Sequence, residues 1–230
     1  MNENMIPETE KDHYEAYLAT VKDKLGKKRI ALSFDDGPRA ETTPKVLEIL
    51  KKYNAHATFY IVGSHIEGNE ALVQQVVAEG HELGDHSYSH PQLTKKTADE
   101  VYKEVHTTSD LIAKATGGLR PMSLRPPYGA FDKMVAEQAG IAIVNWSIDS
   151  YDWKYRDAAK TIERVKETAH NGGILLMHDI HEESVEALPT IIEYLQGEGY
   201  ELVTVTELMG DQPLQPNHVY FDRVEHKQIQ

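Results

Sequence analysis

At 230 residues the chain is long enough for one large domain with a substantial core, and it needs no second one. Its 37 Asp and Glu against 24 Lys and Arg give a net charge of -13, which argues against DNA, RNA or anionic lipid as main partner and suits a neutral or cationic polymer. Cysteine is absent, so disulfides and thiolate ligands are excluded and any transition-metal site has to be built from His, Asp and Glu.

No stretch of about eighteen apolar residues occurs, and the polar opening Met1-Asn2-Glu3-Asn4 lacks the basic-then-apolar form of a signal peptide. Neither a membrane span nor a secretion signal is therefore expected in this sequence. Two locations fit: the cytoplasm, or the surface or exterior of a bacterium with an anchoring segment outside this sequence. A monomer is expected in either.

Residues 1–27 are charged, with one weak helical pattern from Tyr14 to Leu25 and no reactive motif, and they read as an N-terminal extension. From residue 28 onward short apolar runs alternate with helical periodicity. Strands are expected at 30–34, 57–62, 81–85, 123–124, 141–146, 174–177 and 202–205, and helices at 44–53, 71–79, 98–115, around Met134, 158–170 and 185–196. Thr43 before Pro44 reads as a helix cap, while Gly80, Gly140 and Gly199 read as helix stops. Residues 213–230 have two prolines and no periodicity, and read as a C-terminal tail packed on the surface or frayed. The alternation implies one α/β domain over 28–212, either a parallel barrel or a doubly wound sheet. In both, reactive side chains belong just past the C-terminal ends of the strands.

The chemistry-bearing residues fall at those places. Asp35 and Asp36 follow the first strand in Ser33-Phe34-Asp35-Asp36-Gly37-Pro38, a composition that alone describes an ordinary turn. Adjacent residues at a strand end point in different directions, so one acid can bind a cation while its neighbour stays free to take a proton from water. His86 and His90 lie four apart after the third strand, the spacing that sets two imidazoles on one face of a helical turn. Among twelve histidines this pair alone is a weak signal, and His56, His65, His106, His170, His218 and His226 read as surface imidazoles. Arg125, Asp149, Asp152 and His178 also sit at or just after expected strands. One acid and two imidazoles are enough to hold a zinc-like ion.

Taken in order, the Asp35-Asp36 segment, His86-Ser87-Tyr88-Ser89-His90, Arg125-Pro126-Pro127-Tyr128-Gly129, Asp149-Ser150-Tyr151-Asp152-Trp153 and Leu176-Met177-His178-Asp179 resemble five motifs of one family. This is the polysaccharide deacetylase (NodB-homology) family, carbohydrate esterase family four, and within it the bacterial peptidoglycan N-acetylglucosamine deacetylases are most similar. The likeness spans about residues 29–209, and its departures, Ser33 where Thr is more usual and Tyr88, touch no reactive group.

The resemblance implies a distorted (β/α)7 TIM-like barrel in a single domain. It also implies one divalent metal ion, Zn2+ with Co2+ or Ni2+ as alternatives, held by Asp36, His86 and His90. By the same likeness Asp35 is the base and His178 the acid, with Asp152 supporting His178. Arg125 is expected to pair with Asp35, holding it charged and correctly aimed. The Tyr128 backbone N–H would meet the oxyanion, Pro126 and Pro127 would stiffen that loop, and Pro127 with Trp153 and Leu176 would line the substrate pocket, the last two around the acetyl methyl. Asp149 and Asp179 are candidate second partners of His178 or of the metal-binding imidazoles.

The implied partner is an acetylated glycan polymer or oligomer, most simply peptidoglycan losing its N-acetyl groups. Chitooligosaccharide and acetylated xylan are alternatives with the same chemistry. Two other classes fit the same barrel: a catalytically silent glycan-binding protein, and a metal-dependent C–N hydrolase of small amides. The first has no need of base, acid and three ligands together, and the second none of the complete motif set.

Overall fold

The computed structural model describes residues 27–229, so the expected helix near Tyr14 and nearly all of the N-terminal extension lie outside the described residues. The strands are β1 (Lys28–Asp35), β2 (Thr58–Ile61), β3 (Glu82–Asp85), β4 (Ser123–Leu124), β5 (Ala142–Val144), β6 (Ile148–Asp149), β7 (Ile174–His178), β8 (Tyr200–Val203), β9 (His218–Tyr220) and β10 (His226–Gln228). The helices are α1 (Thr43–Lys52), α2 (Glu70–Ala78), α3 (Ala98–Thr116), α4 (Lys133–Ala139), α5 (Asp152–Tyr155), α6 (Ala158–Thr168), α7 (Glu182–Gly197) and α8 (Val205–Met209).

One curled sheet runs β10-β9-β5-β4-β3-β2-β1-β7-β6, parallel throughout except for the β9–β10 hairpin, with β8 paired to the first half of β1. It is a distorted (β/α) barrel in one α/β domain. Period-2 alternation divides β1 between its two faces. Ile30, Leu32 and Phe34 face outward and join Phe59, Ile61, Leu175 and Met177 under α1, α2 and α7. Ala31 packs inside with Tyr60, Val144, Ile174 and Val203, where Val205, Leu208 and Met209 of α8 plug the barrel. The inner face therefore delivers Ser33 and Asp35 from β1 to the barrel's C-terminal end. The inner parity of Ile174 does the same for His178 on β7.

Helix ends follow local chemistry. Thr97 and Glu100 form a reciprocal capping box at the start of α3, Asp132 accepts the Val135 N–H at α4, and Gly140 closes α4 in the left-handed region. Thr43 differs from expectation: it is the first residue of α1, and Thr42 flanks the helix without a side-chain cap. The Thr43 hydroxyl instead donates to the buried Asp179 carboxylate and accepts the Arg39 N–H at 2.9 Å.

All seven expected strands are present, and β6, β9 and β10 are added. Residues 213–230 are therefore not a bare surface tail. Val219 and Tyr220 are buried as β9 pairs in parallel with β5. Beyond them Asp222 bridges Gly173, and the Arg223 N–H reaches the Gly172 carbonyl at 2.9 Å, so this segment helps close the barrel. A three-residue strand is too short to show a period in sequence; the unpaired edge of β5 recruits it.

Candidate active site

The first two acids diverge as their adjacency suggested. Asp35 ends β1 in extended backbone, whereas Asp36 sits at φ 75° and turns the chain into Gly37 and cis-Pro38. A Cβ on Gly37 would lie 2.4 Å from the Asp179 carboxylate, so only glycine lets the turn rest on that buried group. Burial raises the Asp179 carboxyl to about 7, and Thr43 is its side-chain partner.

His86 and His90 converge without the helical turn that their spacing suggested. The chain after β3 is irregular, with Ser87 at φ 64° and His90 at φ 58°. Asp85 accepts the Ser87 N–H at 2.8 Å and the Ser87 hydroxyl accepts the His90 N–H at 3.1 Å, so two side-chain turns replace the helix. His86 Nδ1 lies 2.6 Å from the Arg125 carbonyl. A carbonyl only accepts, so Nδ1 carries the hydrogen and Nε2 is left as a ligand lone pair.

Both imidazole Nε2 atoms lie 3.3 Å from Asp36 Oδ1, a buried oxygen with no hydrogen-bond partner among the described residues. Donor atoms roughly 2.0–2.1 Å from an ion in tetrahedral array stand about 3.3–3.4 Å apart, so this spacing fits a shared divalent cation. Burial alone would raise the Asp36 carboxyl, but His86, His178 and His90 around it hold it well below the usual carboxylate range. The three residues fit a metal site on this geometry.

Asp35 stands beside that set, its Oδ2 3.7 Å from His86 Nε2, and its Oδ1 is bonded at 2.7 Å to Arg125. Arg125 is fully buried and each of its three guanidinium nitrogens donates a hydrogen bond. Its donors reach Ser33 Oγ at 2.9 Å and the Val144 and Asn145 carbonyls at 3.1 and 2.9 Å, and the cation lies 4.1 Å over the Tyr60 ring. Ser33 passes its own hydrogen to the Leu175 carbonyl at 2.7 Å.

Across the site, His178 Nδ1 meets Asp152 Oδ1 at 2.8 Å. Asp152 Oδ2 takes the His178 N–H and the Ser184 hydroxyl, both at 2.7 Å. Burial works against a charged His178, but the Asp152 hydrogen bond and charge, with Asp35 and Asp36 beyond, outweigh it and raise the imidazole to about 9. Asp149 and Asp179 bond to neither imidazole set: Asp149 accepts the Tyr151 N–H at 2.9 Å, and Asp179 holds Thr43.

These groups border a cavity of about 350 Å³ walled by Pro126, Tyr128, Trp146, Trp153 and Leu176. Pro127, expected here, is buried and does not line this cavity, whereas its neighbour Pro126 does. Trp146 and Ser184 were not singled out by sequence, and neither stands inside a motif.

A sequence model described as polysaccharide deacetylase matches residues 22–144, just over half of the chain. The chain belongs to the polysaccharide deacetylase family. It is 45% identical over 202 residues to a peptidoglycan-N-acetylglucosamine deacetylase of Listeria monocytogenes, covering 88% of this chain and 43% of that protein. This family domain thus spans less than half the length of that relative. Among solved structures, T48 deacetylase with substrate superimposes at a TM-score of 0.82 with 38% identity, covering 85% of this chain and 98% of the other. A family 4 acetyl xylan esterase from Clostridium thermocellum, solved with a cobalt ion, matches at a TM-score of 0.75 with 34% identity, covering 79% and 90%.

Proposed function

We propose that this chain is a metal-dependent hydrolase that removes N-acetyl groups from N-acetylglucosamine residues of peptidoglycan. The observation that carries the reading is the bare Asp36 oxygen between two imidazoles, flanked by a fixed carboxylate and an acidic imidazole. Asp36, His86 and His90 would hold the ion, Zn2+ by the nature of the donors, with Co2+ or Ni2+ able to use the same set. When bound, such an ion supplies Lewis acidity toward water and toward the acetyl carbonyl.

The remaining work belongs to the chain. Asp35, tied through Oδ1 to Arg125, keeps Oδ2 free to take a proton from the attacking water. The backbone N–H of Tyr128 is assigned the oxyanion, and Trp153 and Leu176 receive the acetyl methyl. His178, kept protonated by Asp152, gives its proton to the leaving amine. Replacing His178 by Ala should cost far more on amides than on esters, since an alkoxide departs more readily than an amine. Equal losses in kcat on matched amide and ester substrates would remove the acid role.

The choice of substrate draws on the Listeria relative, a peptidoglycan-N-acetylglucosamine deacetylase. Such a polymer lies outside the bacterial membrane, so we place the protein there, acting as a monomer. No helix among the described residues is long and apolar enough to cross a membrane. Acetate release measured side by side on peptidoglycan, acetylated chitooligosaccharides and acetylated xylan tests the choice. Peptidoglycan is expected to be fastest, and release that is lost on chelation should return with Zn2+. Hydrolysis of small amides with no release from any glycan would contradict it.

A further inference from the structure

The loop that carries His90 is held by a residue outside the five motifs. Glu104, half-buried on α3, accepts the Tyr88 N–H at 2.9 Å and the Ser89 N–H at 2.8 Å through Oε2, and the Ser89 hydroxyl at 2.7 Å through Oε1. On the β2 side, the Gly63 and Ser64 N–H groups bond to the Ser87 and Tyr88 carbonyls at 3.0 and 2.9 Å. The segment needs such holding, because Ser87 and His90 both occupy the left-handed region, which non-glycine residues keep only where their surroundings over-determine it. Relaxation of either residue would swing His90 away from Asp36.

We propose that Glu104 is a positioning residue for the metal centre, fixing the loop so that His90 Nε2 stays beside Asp36 Oδ1. The inference rests on the metal reading above. Glu104 touches neither ion nor substrate; it acts through two backbone N–H groups and one hydroxyl. A rival cause is the attraction of its charge for a nearby cation, and length and charge are separable by substitution. Glu104→Gln keeps the reach and one accepting oxygen without the charge, whereas Glu104→Asp keeps the charge on an arm one methylene shorter.

Zn2+ titration calorimetry on the full chain, with circular dichroism of each variant, decides between them. Glu104→Ala is expected to weaken Zn2+ binding about tenfold, in the range seen for groups that orient metal ligands. Glu104→Asp should lose nearly as much, and Glu104→Gln should stay within about threefold of wild type. The visible spectrum of Co2+-loaded protein should change for Ala and Asp and not for Gln. Unchanged affinity in all three variants overturns the proposal. So does a Gln variant as weak as Ala beside a near-normal Asp variant, which would assign the effect to charge. If Ala fails to fold, the Asp and Gln contrast decides alone. Wild-type protein that takes up no Zn2+ would overturn the metal reading and the proposal with it.

Discussion

Replacing Asp35 by Asn is expected to leave metal uptake intact while lowering kcat by roughly 10²–10⁴-fold, the contribution of a positioned general base. Asn has the same shape and its carbonyl can still accept from Arg125, so the turn into Asp36 should keep its geometry. What it lacks is an oxygen able to take and hold a proton. Oδ2 of Asp35 is the atom at stake, since Oδ1 is committed to Arg125 at 2.7 Å. Asp35 also stands outside the Asp36, His86 and His90 group whose ligand atoms lie within 4.8 Å of one another. The check is zinc content by elemental analysis together with kcat on one acetylated glycan. Activity within a few-fold of wild type would place the base elsewhere, and loss of the metal would make Asp35 a ligand.

Arg125→Ala should have the largest effect on stability, about 3–5 kcal/mol, because it removes one half of a buried ion pair and leaves the other half unpaired. Asp35 is 3% exposed, so water cannot readily replace the lost guanidinium. Ser33, the Val144 carbonyl and the Asn145 carbonyl lose their donors as well, and Tyr60 loses the cation over its ring. Arg125→Lys should recover only part, since an ammonium is a point donor without the planar fork that spans these four acceptors. Urea unfolding of metal-free protein measures this without the contribution of a bound ion. A loss below about 1 kcal/mol would mean the pair behaves as an exposed salt bridge.

Much of this site was legible because strand parity and turn chemistry are local. Asp35 falls on the inner face two residues after Ser33, and His178 two after Leu176, so ordinary alternation brings base and acid to one end of the barrel. The spacing of His86 and His90 was legible but its conformation was not. Helical spacing and a pair of side-chain turns bring imidazoles equally close, and the left-handed Ser87 leaves no mark in composition. Partners far apart in sequence were illegible for a different reason. Nothing near Ser184 announces that it bonds Asp152, and nothing near Thr43 announces Asp179, 136 residues away. The strand at His218–Tyr220 depends on an open edge of β5 that exists only once the sheet has formed.

One divalent ion shared by Asp36, His86 and His90 is central to the proposed chemistry. Crystals grown with Zn2+ and measured on both sides of the zinc absorption edge test it most directly. A single anomalous peak is expected, about 2.0–2.2 Å from Asp36 Oδ1 and from Nε2 of His86 and His90, and lost in the His86→Ala, His90→Ala double variant. No peak among these atoms, or one that survives the double substitution, would contradict it.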